Sequence, residues 1–466
     1  MKRNGLSRRG FLASSLGAMA ASGLPMWYAR EALAARQESE TRIRKVGPND
    51  KIRFGLVGCG GMGKADVGRF IDRPDCQLVA LCDVDKRHLE QAATGFRDKA
   101  KKGGTDEIAK YTDFRELCTR KDIDFVIVGT PDHWHTLPTL CAMKNGKDVY
   151  CEKPFTLFID EGKLLVKTAR AMNRIVQVGS QQRSEGFRPM GNYTGNQWHL
   201  ACELVRNGRL GKLSQVTTFI GGNPREGPFP VKPIPEGLDY EFWLGPTPKV
   251  EYREKNCHYD FRWFYAYSGG KQTDWGAHMN DIAQWALGMD GSGPVAIEAK
   301  GEEPSREPGC YDCHPRFELR YHYSSGVPVL CTDVRGNAPG HPQFKAGEGV
   351  RFDGVDGKWI FVSRSEVVAS DKKLLEEPLP SNKMPLEIST SHGGNFIDCI
   401  RSRKQPICNV EVGHRSVSVC HLGNIALRTG LKLQWDPAEE KFIGSNSEEA
   451  NKWLNRPYRS PWKFEA

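Results

Sequence analysis

Between residues 51 and 185, short apolar runs alternate with longer segments in which apolar residues recur at helical spacing. Runs such as "KIRFGLV", "QLVALC", "DFVIV" and "DVYC" have the length and apolar character of buried strands, whereas "EGKLLVKTARAMN" repeats like a helix. Strands that alternate with helices predict a parallel sheet with helices on both faces, and ligands bind beyond the carboxyl ends of such strands. This pattern predicts a doubly wound α/β domain over residues 51–185.

From about Gly211 the pattern changes to strand-like segments broken by Gly, Pro and Asp turns, as in "KLSQVTTFIGG" and "GVRFDGVDGKWIFV". Such turns are typical of antiparallel pairing. Between these strands, Ile282, Trp285 and Ala286 follow the i, i+3, i+4 spacing of a helix that we expect to end near Leu287. Residues 186–466 are therefore predicted to form a second domain.

The first 35 residues have a basic start, a moderately apolar middle and a small-residue end, as export signals do. "SRRGFL" resembles the twin-arginine signal, with Arg8 and Arg9 as the pair. We expect residues 1–35 to be a signal peptide, residues 36–50 a linker, and the protein to be periplasmic or otherwise exported. The twin-arginine translocase carries folded proteins, so a tightly held cofactor is also expected. A disordered basic tail is the alternative.

The chain of 466 residues is long enough for two packed domains, and its later part has no run of about 20 apolar residues. Its formal net charge of +9 is partly concentrated near the start, and the remainder is too mild to indicate a nucleic-acid-binding surface. Many of the 14 cysteines lie inside apolar runs, where cysteine acts as a small hydrophobic residue. Buried free thiols are therefore expected, not a disulfide framework.

The first predicted strand runs into a glycine-rich turn with G-x-G-x-x-G spacing, and a helix follows. Glycines let the backbone approach a pyrophosphate at the helix N-terminus. The second strand leads to Asp83, whose carboxylate would accept hydrogen bonds from the adenosine ribose and repel a 2′-phosphate. These features predict NAD rather than NADP; a glycine-rich turn of another α/β protein is the alternative. The turn residues predicted to bind the cofactor are Gly58, Gly60, Gly61, Met62 and Gly63.

Residues that follow the later strands belong to the same edge of the predicted sheet. One of them is a lysine in "VYCEKPF", where Pro154 stops the strand from continuing. The residues at this edge that we expect to border the cofactor are Thr130, Pro131, His135, Glu152, Lys153 and Gln181. His135 is also a candidate for lining a sugar pocket.

Three motifs occur in order: strand–GxGxxG–helix, then "EKP", then "GG" followed by D-x-G-x-H-x-x-D. Together they resemble the glucose–fructose oxidoreductase/inositol dehydrogenase (Gfo/Idh/MocA) family over residues 51–433. The resemblance implies a Rossmann domain followed by an α/β domain with a large, mostly antiparallel sheet. Because that sheet often serves for oligomerisation in the family, a homo-oligomer is expected. The segment "EVGHRSVSVCHLGNIALRTG" is similar to a helix that returns to the Rossmann domain.

The same resemblance implies an NAD(H)-dependent oxidoreductase that acts on a sugar, polyol or glycoside. Lys153 matches the catalytic lysine, His278 the general base, and Asp274 a residue that orients the substrate or the histidine. Each has a structural alternative: Lys153 pairs with Glu152, Asp274 caps a helix, or His278 is a satisfied interior histidine. The sequence places Asp274 and His278 four residues apart, so we expect both on one face of a first helical turn.

Aromatic and cationic residues near these motifs are candidates for binding the substrate, because a sugar ring has apolar C–H faces and many hydroxyls. Aromatic core filling is the alternative. The candidates are Arg183, Arg262, Trp263 and Trp275.

"CYDCH", with Cys310, Cys313 and His314, has the spacing of a c-type haem site. Haem attachment needs an unfolded chain, whereas a twin-arginine signal implies export in the folded state. Thiols at a strand edge are therefore expected, with zinc or a local disulfide as alternatives, and no metal site is predicted.

Two other functions remain open for the whole protein. One is an NAD-dependent glycoside hydrolase of the same fold, which oxidises, eliminates and reduces again; the resemblance argues against it, because the related hydrolases lack the lysine of "EKP". The other is a non-catalytic binding protein.

Overall fold

The computed structural model describes residues 25–31, 34, 51–185, 196–334 and 347–464. Most of the predicted signal peptide and linker lies outside these residues, so the export signal stays a prediction. In the described part of residues 1–35, residues 26–31 are helical. No helix in the described ranges is both long and apolar enough to cross a membrane.

The first domain contains a six-stranded parallel sheet, as the alternating pattern predicts. The strand order is β3-β2-β1-β4-β5-β6. The chain adds β2 and β3 on one side of β1 and then β4 to β6 on the other, so β1 and β4 flank a switch point, where ligands bind in such sheets. The strands are β1 Ile52–Val57, β2 Cys76–Cys82, β3 Ala109–Tyr111, β4 Phe125–Val128, β5 Asp148–Cys151 and β6 Val176–Val178. The helices are α1 Gly61–Val67, α2 Lys86–Lys102, α3 Phe114–Thr119, α4 Thr136–Lys144 and α5 Ile159–Ala171.

The second domain is built on a nine-stranded sheet with the order β13-β12-β11-β7-β10-β9-β8-β14-β15. The pairing of β7 with β10 is parallel, and the other pairings are antiparallel, which confirms the mostly antiparallel sheet. The strands are β7 Leu213–Phe219, β8 Ala296–Gly301, β9 Phe317–His322, β10 Pro328–Thr332, β11 Gly349–Gly354, β12 Trp359–Ser363, β13 Val367–Ala369, β14 Leu433–Asp436 and β15 Lys441–Ile443.

Helices of the second domain cover one face of this sheet and also reach the first domain. The helices of this domain in the described ranges are α6 Gln197–Arg206, α7 Tyr240–Leu244, α8 Lys271–Asp274, α9 Gly276–Leu287, α10 Lys373–Glu376, α11 His392–Ser402, α12 Val410–Thr429 and α13 Ser447–Asn451. Apolar side chains of α6, α9 and α12 share one core with the strands. In addition, α12 contacts α5 and β6, as expected of the returning helix, and Phe396 of α11 packs against Phe70 and Phe125.

The helix predicted to carry Asp274 and His278 is divided. A short helix, α8, ends at Asp274, and α9 begins at Gly276 after Trp275. Trp275, not Asp274, occupies the N-cap position of α9, so the capping alternative for Asp274 is wrong. The predicted end at Leu287 is confirmed, because Gly288 follows with a left-handed φ of 73°.

All 14 cysteines are free thiols, and every one except Cys141 is buried. Their expected role as small interior residues is therefore confirmed.

Candidate active site

A cavity of about 510 Å³ lies at the carboxyl edge of the parallel sheet, where the pattern of strands predicts a ligand. Its walls come from the glycine-rich turn, the ends of β2, β4 and β5, and a segment of the second domain. The two domains therefore enclose one space between them.

The glycine-rich turn has the close packing that requires glycine. Gly58 has a φ of 93°, and a Cβ at this position would lie 2.6 Å from the Thr130 nitrogen. A Cβ on Gly63 would lie 1.9 Å from the Gly58 carbonyl oxygen, whereas Gly60 and Gly61 face open space. No side chain therefore separates the backbone of Gly60 and Gly61 from the cavity. Met62, which is 40% exposed, also borders the cavity beside these two glycines. This is the cradle that a pyrophosphate needs.

Asp83 follows β2 directly and faces the same cavity. Its carboxylate accepts the backbone N–H of Cys59 at 2.6 Å and that of Asp85 at 2.8 Å. Burial raises the pKa of Asp83 to about 6, although these two hydrogen bonds favour the charged form. The acid thus lies at the end of the second strand and is tied to the glycine-rich turn.

A segment in which the sequence analysis selected only Arg262 forms the opposite wall. We call residues 237–262 the covering segment; it includes α7 and contributes Phe242, Trp243 and Tyr259 to the cavity. Its first residues are bonded to the first domain, because Lys86 N–H donates to the Gly237 oxygen and Asp239 N–H donates to the Val84 oxygen, each at 3.0 Å. Little of it is in regular elements, so neither helical nor strand periodicity marks it.

Lys153 extends from the end of β5 and pairs with a residue of the second domain. Its Nζ donates to Oδ1 of Asp274 at 2.7 Å and to the Asp274 carbonyl oxygen at 3.2 Å. The Glu152 carboxylate instead accepts the Lys153 backbone N–H and the Gln181 amide. The alternative in which Lys153 pairs with Glu152 is therefore wrong.

The charge of Asp274 is strongly stabilised. Burial alone would raise the pKa of Asp274, but Lys153 and Arg262 hold it well below its usual range. The Arg262 Nε lies 3.5 Å from the same oxygen, Oδ1. An ionised carboxylate between two cations fixes the lysine at the cavity.

His278 lies in the first turn of α9 and is 6% exposed. Burial and the charges of Lys153 and Arg364 lower the pKa of His278 well below its usual value. Its Nδ1 has no hydrogen-bond partner among the described residues. A neutral imidazole with an unused nitrogen can accept a proton.

Asp132 is a cavity residue that the sequence analysis did not select. It accepts a hydrogen bond from the Ser268 hydroxyl at 2.5 Å. Burial raises the pKa of Asp132 to about 6, although the positive charges of Arg262 and Lys153 act to lower it. The only sequence signal was its position just after the fourth strand, in "TPDHWH".

The other predicted cofactor residues divide into two groups. Thr130, Pro131 and Glu152 border the cavity. His135 lies behind this wall, 1% exposed, with its ring nitrogens 2.6 Å from the Pro154 oxygen and 2.9 Å from the Thr130 oxygen. Gln181 also lies behind it and donates to the Glu152 carboxylate, so both residues position the wall.

The prediction that Arg183 binds substrate needs correction. Arg183 is 1% exposed, and its guanidinium donates to both carboxylate oxygens of Asp281 and of Asp290 at 2.8–3.1 Å. A buried cation needs such partners, and these carboxylates occupy the guanidinium donors. Arg183 therefore ties the turn after β6 to α9.

The three remaining substrate candidates lie in different surroundings. Arg262 borders the cavity, whereas Trp263 borders an adjacent recess that shares Tyr259 with it. Trp275 is stacked by the Arg364 guanidinium, 4.3 Å from its ring centre, and lies next to the His278 ring.

The haem-like motif is interior. Cys310, Cys313 and His314 are at most 7% exposed, and the Tyr265 hydroxyl lies 2.9 Å from His314 Nδ1. Both cysteines are free thiols, which excludes the local disulfide in this structure. Cys310, Cys313 and His314 do not form a group of potential metal ligands. Within the described ranges such a group is formed by Asp85, His88 and His258.

Two family profiles match the chain. The profile of the Gfo/Idh/MocA oxidoreductase family's NAD-binding Rossmann fold matches residues 52–180, and that of its C-terminal α/β domain matches residues 225–464.

Curated relatives carry the name glycosyl hydrolase family 109 protein. The chain is 39% identical to one from Solibacter usitatus over 189 residues, which are 39% of this chain and 40% of that protein. It is 34% identical to another from Saccharopolyspora erythraea over 182 residues, which are 37% of this chain and 39% of that protein. The match thus spans about two fifths of these relatives.

Solved structures share the fold across most of the chain. The WlbA dehydrogenase from Bordetella pertussis, in complex with NADH and UDP-GlcNAcA, is 17% identical with a TM-score of 0.58, covering 83% of this chain and 99% of its own. An aldose-aldose oxidoreductase from Caulobacter crescentus, complexed with glycerol, is 19% identical with a TM-score of 0.58, covering 82% of this chain and 99% of its own.

Proposed function

The chain belongs to the Gfo/Idh/MocA oxidoreductase family, and we propose that it transfers hydride between a secondary alcohol of a sugar, polyol or glycoside and NAD. One observation carries this proposal. Lys153 and Asp274, from different domains, meet at 2.7 Å beside the cavity that the glycine-rich turn and Asp83 border.

NAD fits the first domain's part of the cavity. Added Cβ atoms at Gly58 and Gly63 would collide with backbone, while Gly60 and Gly61 leave room for a pyrophosphate, and the Asp83 carboxylate suits ribose hydroxyls. When bound, NAD supplies the carbon that accepts the hydride.

The chain's own residues would handle the alcohol oxygen. The Lys153 ammonium donates a hydrogen bond to this oxygen and stabilises the negative charge that grows on it. The hydroxyl proton passes to the neutral imidazole of His278 as the hydride leaves the carbon, which leaves a carbonyl. Asp274 holds Lys153 in place, and in the opposite direction each transfer is reversed.

The second candidate is a glycoside hydrolase that uses NAD transiently. The family name of the curated relatives favours it, although the match covers about two fifths of them. Both candidates need NAD and a base, but hydrolysis leaves no net reduced cofactor. The presence of Lys153 favours the oxidoreductase.

A carbohydrate is the proposed substrate class. Tyr259, 66% exposed, lies between the cavity and the adjacent recess, and Trp263 borders that recess. Aromatic faces suit the C–H faces of a sugar ring, and Arg262 and Asp132 offer polar contacts nearby.

Export and assembly are part of the proposal. Arg8 and Arg9 would direct the folded, cofactor-loaded chain to the twin-arginine translocase, and Arg8→Lys with Arg9→Lys should retain it in the cytoplasm. The nine-stranded sheet would pair in a homo-oligomer through the face that carries Glu318 and Arg320, opposite its helices. Light scattering of the purified protein would give the subunit number; a monomer would contradict this assembly.

The experiment combines purified protein and NAD with a panel of sugars, polyols and chromogenic glycosides. Formation of NADH with a ketone product supports the oxidoreductase, and aglycone release without net NADH supports the hydrolase. His278→Ala should abolish whichever activity appears. Neither product across the panel would favour the binding protein.

A further inference from the structure

Three potential metal ligands meet at the edge of the cavity next to Asp83, outside the proposed catalytic group. Asp85 and His88 come from the start of α2, and His258 comes from the covering segment. One ligand atom of each residue lies within 4.8 Å of those of the other two. The His88 and His258 ring centres are 4.6 Å apart, and His258 Nε2 lies 3.5 Å from Asp85 Oδ2.

Backbone hydrogen bonds hold Asp85 in place before any ion binds, and the other two ligands lie at defined backbone positions. Asp85 Oδ1 caps α2 by accepting the N–H groups of Arg87 and His88, which leaves Oδ2 directed toward His258. His88 lies on the first turn of that helix. His258 has a left-handed φ of 56°, a conformation uncommon outside glycine, asparagine, aspartate and histidine.

The chemistry of the three groups matches zinc. Two imidazoles and one carboxylate are zinc ligands, and bonds of about 2.0–2.1 Å in a tetrahedral site separate the ligand atoms by about 3.4 Å. The 3.5 Å between His258 and Asp85 agrees with that spacing. Arg87 is the nearby competing cation, with Nη2 3.6 Å from Asp85 Oδ2, but its side chain is 65% exposed and is free to turn outward.

We propose that Asp85, His88 and His258 bind a zinc ion that fastens the covering segment to the first domain. The backbone bonds of Gly237 and Asp239 already join this segment to Val84–Lys86, so the ion would add a second attachment farther along the segment. All three ligands border the cavity, so the fourth position would be open to water or to a bound molecule. None of the three ligands is among the residues proposed to bind NAD or to handle the alcohol oxygen.

The test uses full-length protein without a histidine tag, treated with a chelator, dialysed and titrated with Zn²⁺ by calorimetry. Titration with Co²⁺ gives a visible absorption spectrum that reports coordination geometry. We expect about one ion per chain and a higher thermal midpoint with zinc, because ligands of the folded state stabilise it. His88→Ala and His258→Ala should each weaken zinc binding by at least about 100-fold, because a lost ligand costs more than the roughly 10–100-fold of a lost outer-shell partner. Asp85→Asn should also weaken it while keeping the helix cap, because asparagine caps as well as aspartate.

The matched control is His322→Ala. His322 Nε2 lies 3.4 Å from Glu298 Oε1. This histidine–carboxylate pair resembles that of His258 and Asp85 but does not belong to the proposed zinc site. The control variant should bind zinc like the wild type. The proposal is overturned if folded wild-type protein takes up no zinc, if His258→Ala binds it equally well, or if the control loses it.

Discussion

Lys153 Nζ and Asp274 Oδ1, 121 residues apart in the chain, lie 2.7 Å from each other and join the two domains beside the cavity. Their side chains are 12% and 13% exposed, so water screens this pair only weakly. The contact places one cation at the wall of the cavity. It also makes the position of that cation depend on how the second domain packs on the first.

Removal of this cation tests the chemistry directly. Lys153→Met keeps the length and apolar stem of the side chain, so the fold and NAD binding should survive. Turnover should fall by about 10²–10³-fold, the usual cost of one lost donor to a transition state. Steady-state kinetics and NAD binding by fluorescence are the measurements.

Lys163→Met is the control, because Lys163 is 37% exposed on α5 and pairs with Asp160. It should leave turnover unchanged. A fully active Lys153→Met enzyme would exclude the proposed role, and an unfolded one would make the lysine structural.

The acid limb of the pH profile should report His278. The imidazole accepts a proton only when neutral, and its pKa lies well below 6.5, so kcat/KM for alcohol oxidation should persist below pH 6.5. Arg364 contributes to this lowered pKa. Arg364→Gln removes a positive charge, so the His278 pKa should rise and the acid limb should move to higher pH.

Arg306→Gln is the control, an arginine 89% exposed that pairs with Glu303. Its acid limb should coincide with that of the wild type. An acid limb that Arg364→Gln leaves in place would show that His278 is not the group being titrated.

Asp83 should control the choice between NAD and NADP. Its carboxylate repels a 2′-phosphate, so Asp83→Asn, which keeps the oxygen that accepts the Cys59 N–H, should relax the preference toward NADP. Because the pKa of Asp83 is about 6, wild-type discrimination should weaken as the pH falls through 6 and the carboxyl is protonated. Binding constants for both dinucleotides at several pH values measure this; a preference for NADP in the wild type would contradict it.

Arg183 should matter for stability, not for substrate affinity. Arg183→Met leaves Asp281 buried without its cation, and breaking a buried pair in this way costs about 3–5 kcal/mol of the free energy of unfolding. Chemical denaturation measures this loss. Arg306→Met removes an exposed partner 3.5 Å from Glu303 and should cost at most about 1 kcal/mol. Equal losses from the two variants would argue against a buried role for Arg183.

Several features of this protein can be predicted from short windows of its sequence. The alternation of strand and helix predicted the parallel sheet, the glycine spacing predicted the tight turn at Gly58 and Gly63, and the turn-rich pattern predicted the antiparallel sheet. These three predictions are correct because backbone conformation and the buried face of an element depend mainly on residues that are near in sequence. The resemblance of the motifs identified Lys153 and Asp274 as site residues but did not predict that their side chains contact each other.

Which side chains contact each other depends on the tertiary structure. It paired Lys153 with Asp274 rather than with the adjacent Glu152, and it buried Arg183 between two carboxylates although its position after β6 had suggested the cavity. It also positioned the irregular covering segment against the cavity and brought His258 to within 3.5 Å of Asp85, a residue far earlier in the chain. Such contacts follow from how two domains pack and from the need of each buried charge for a partner, and no local pattern carries that information.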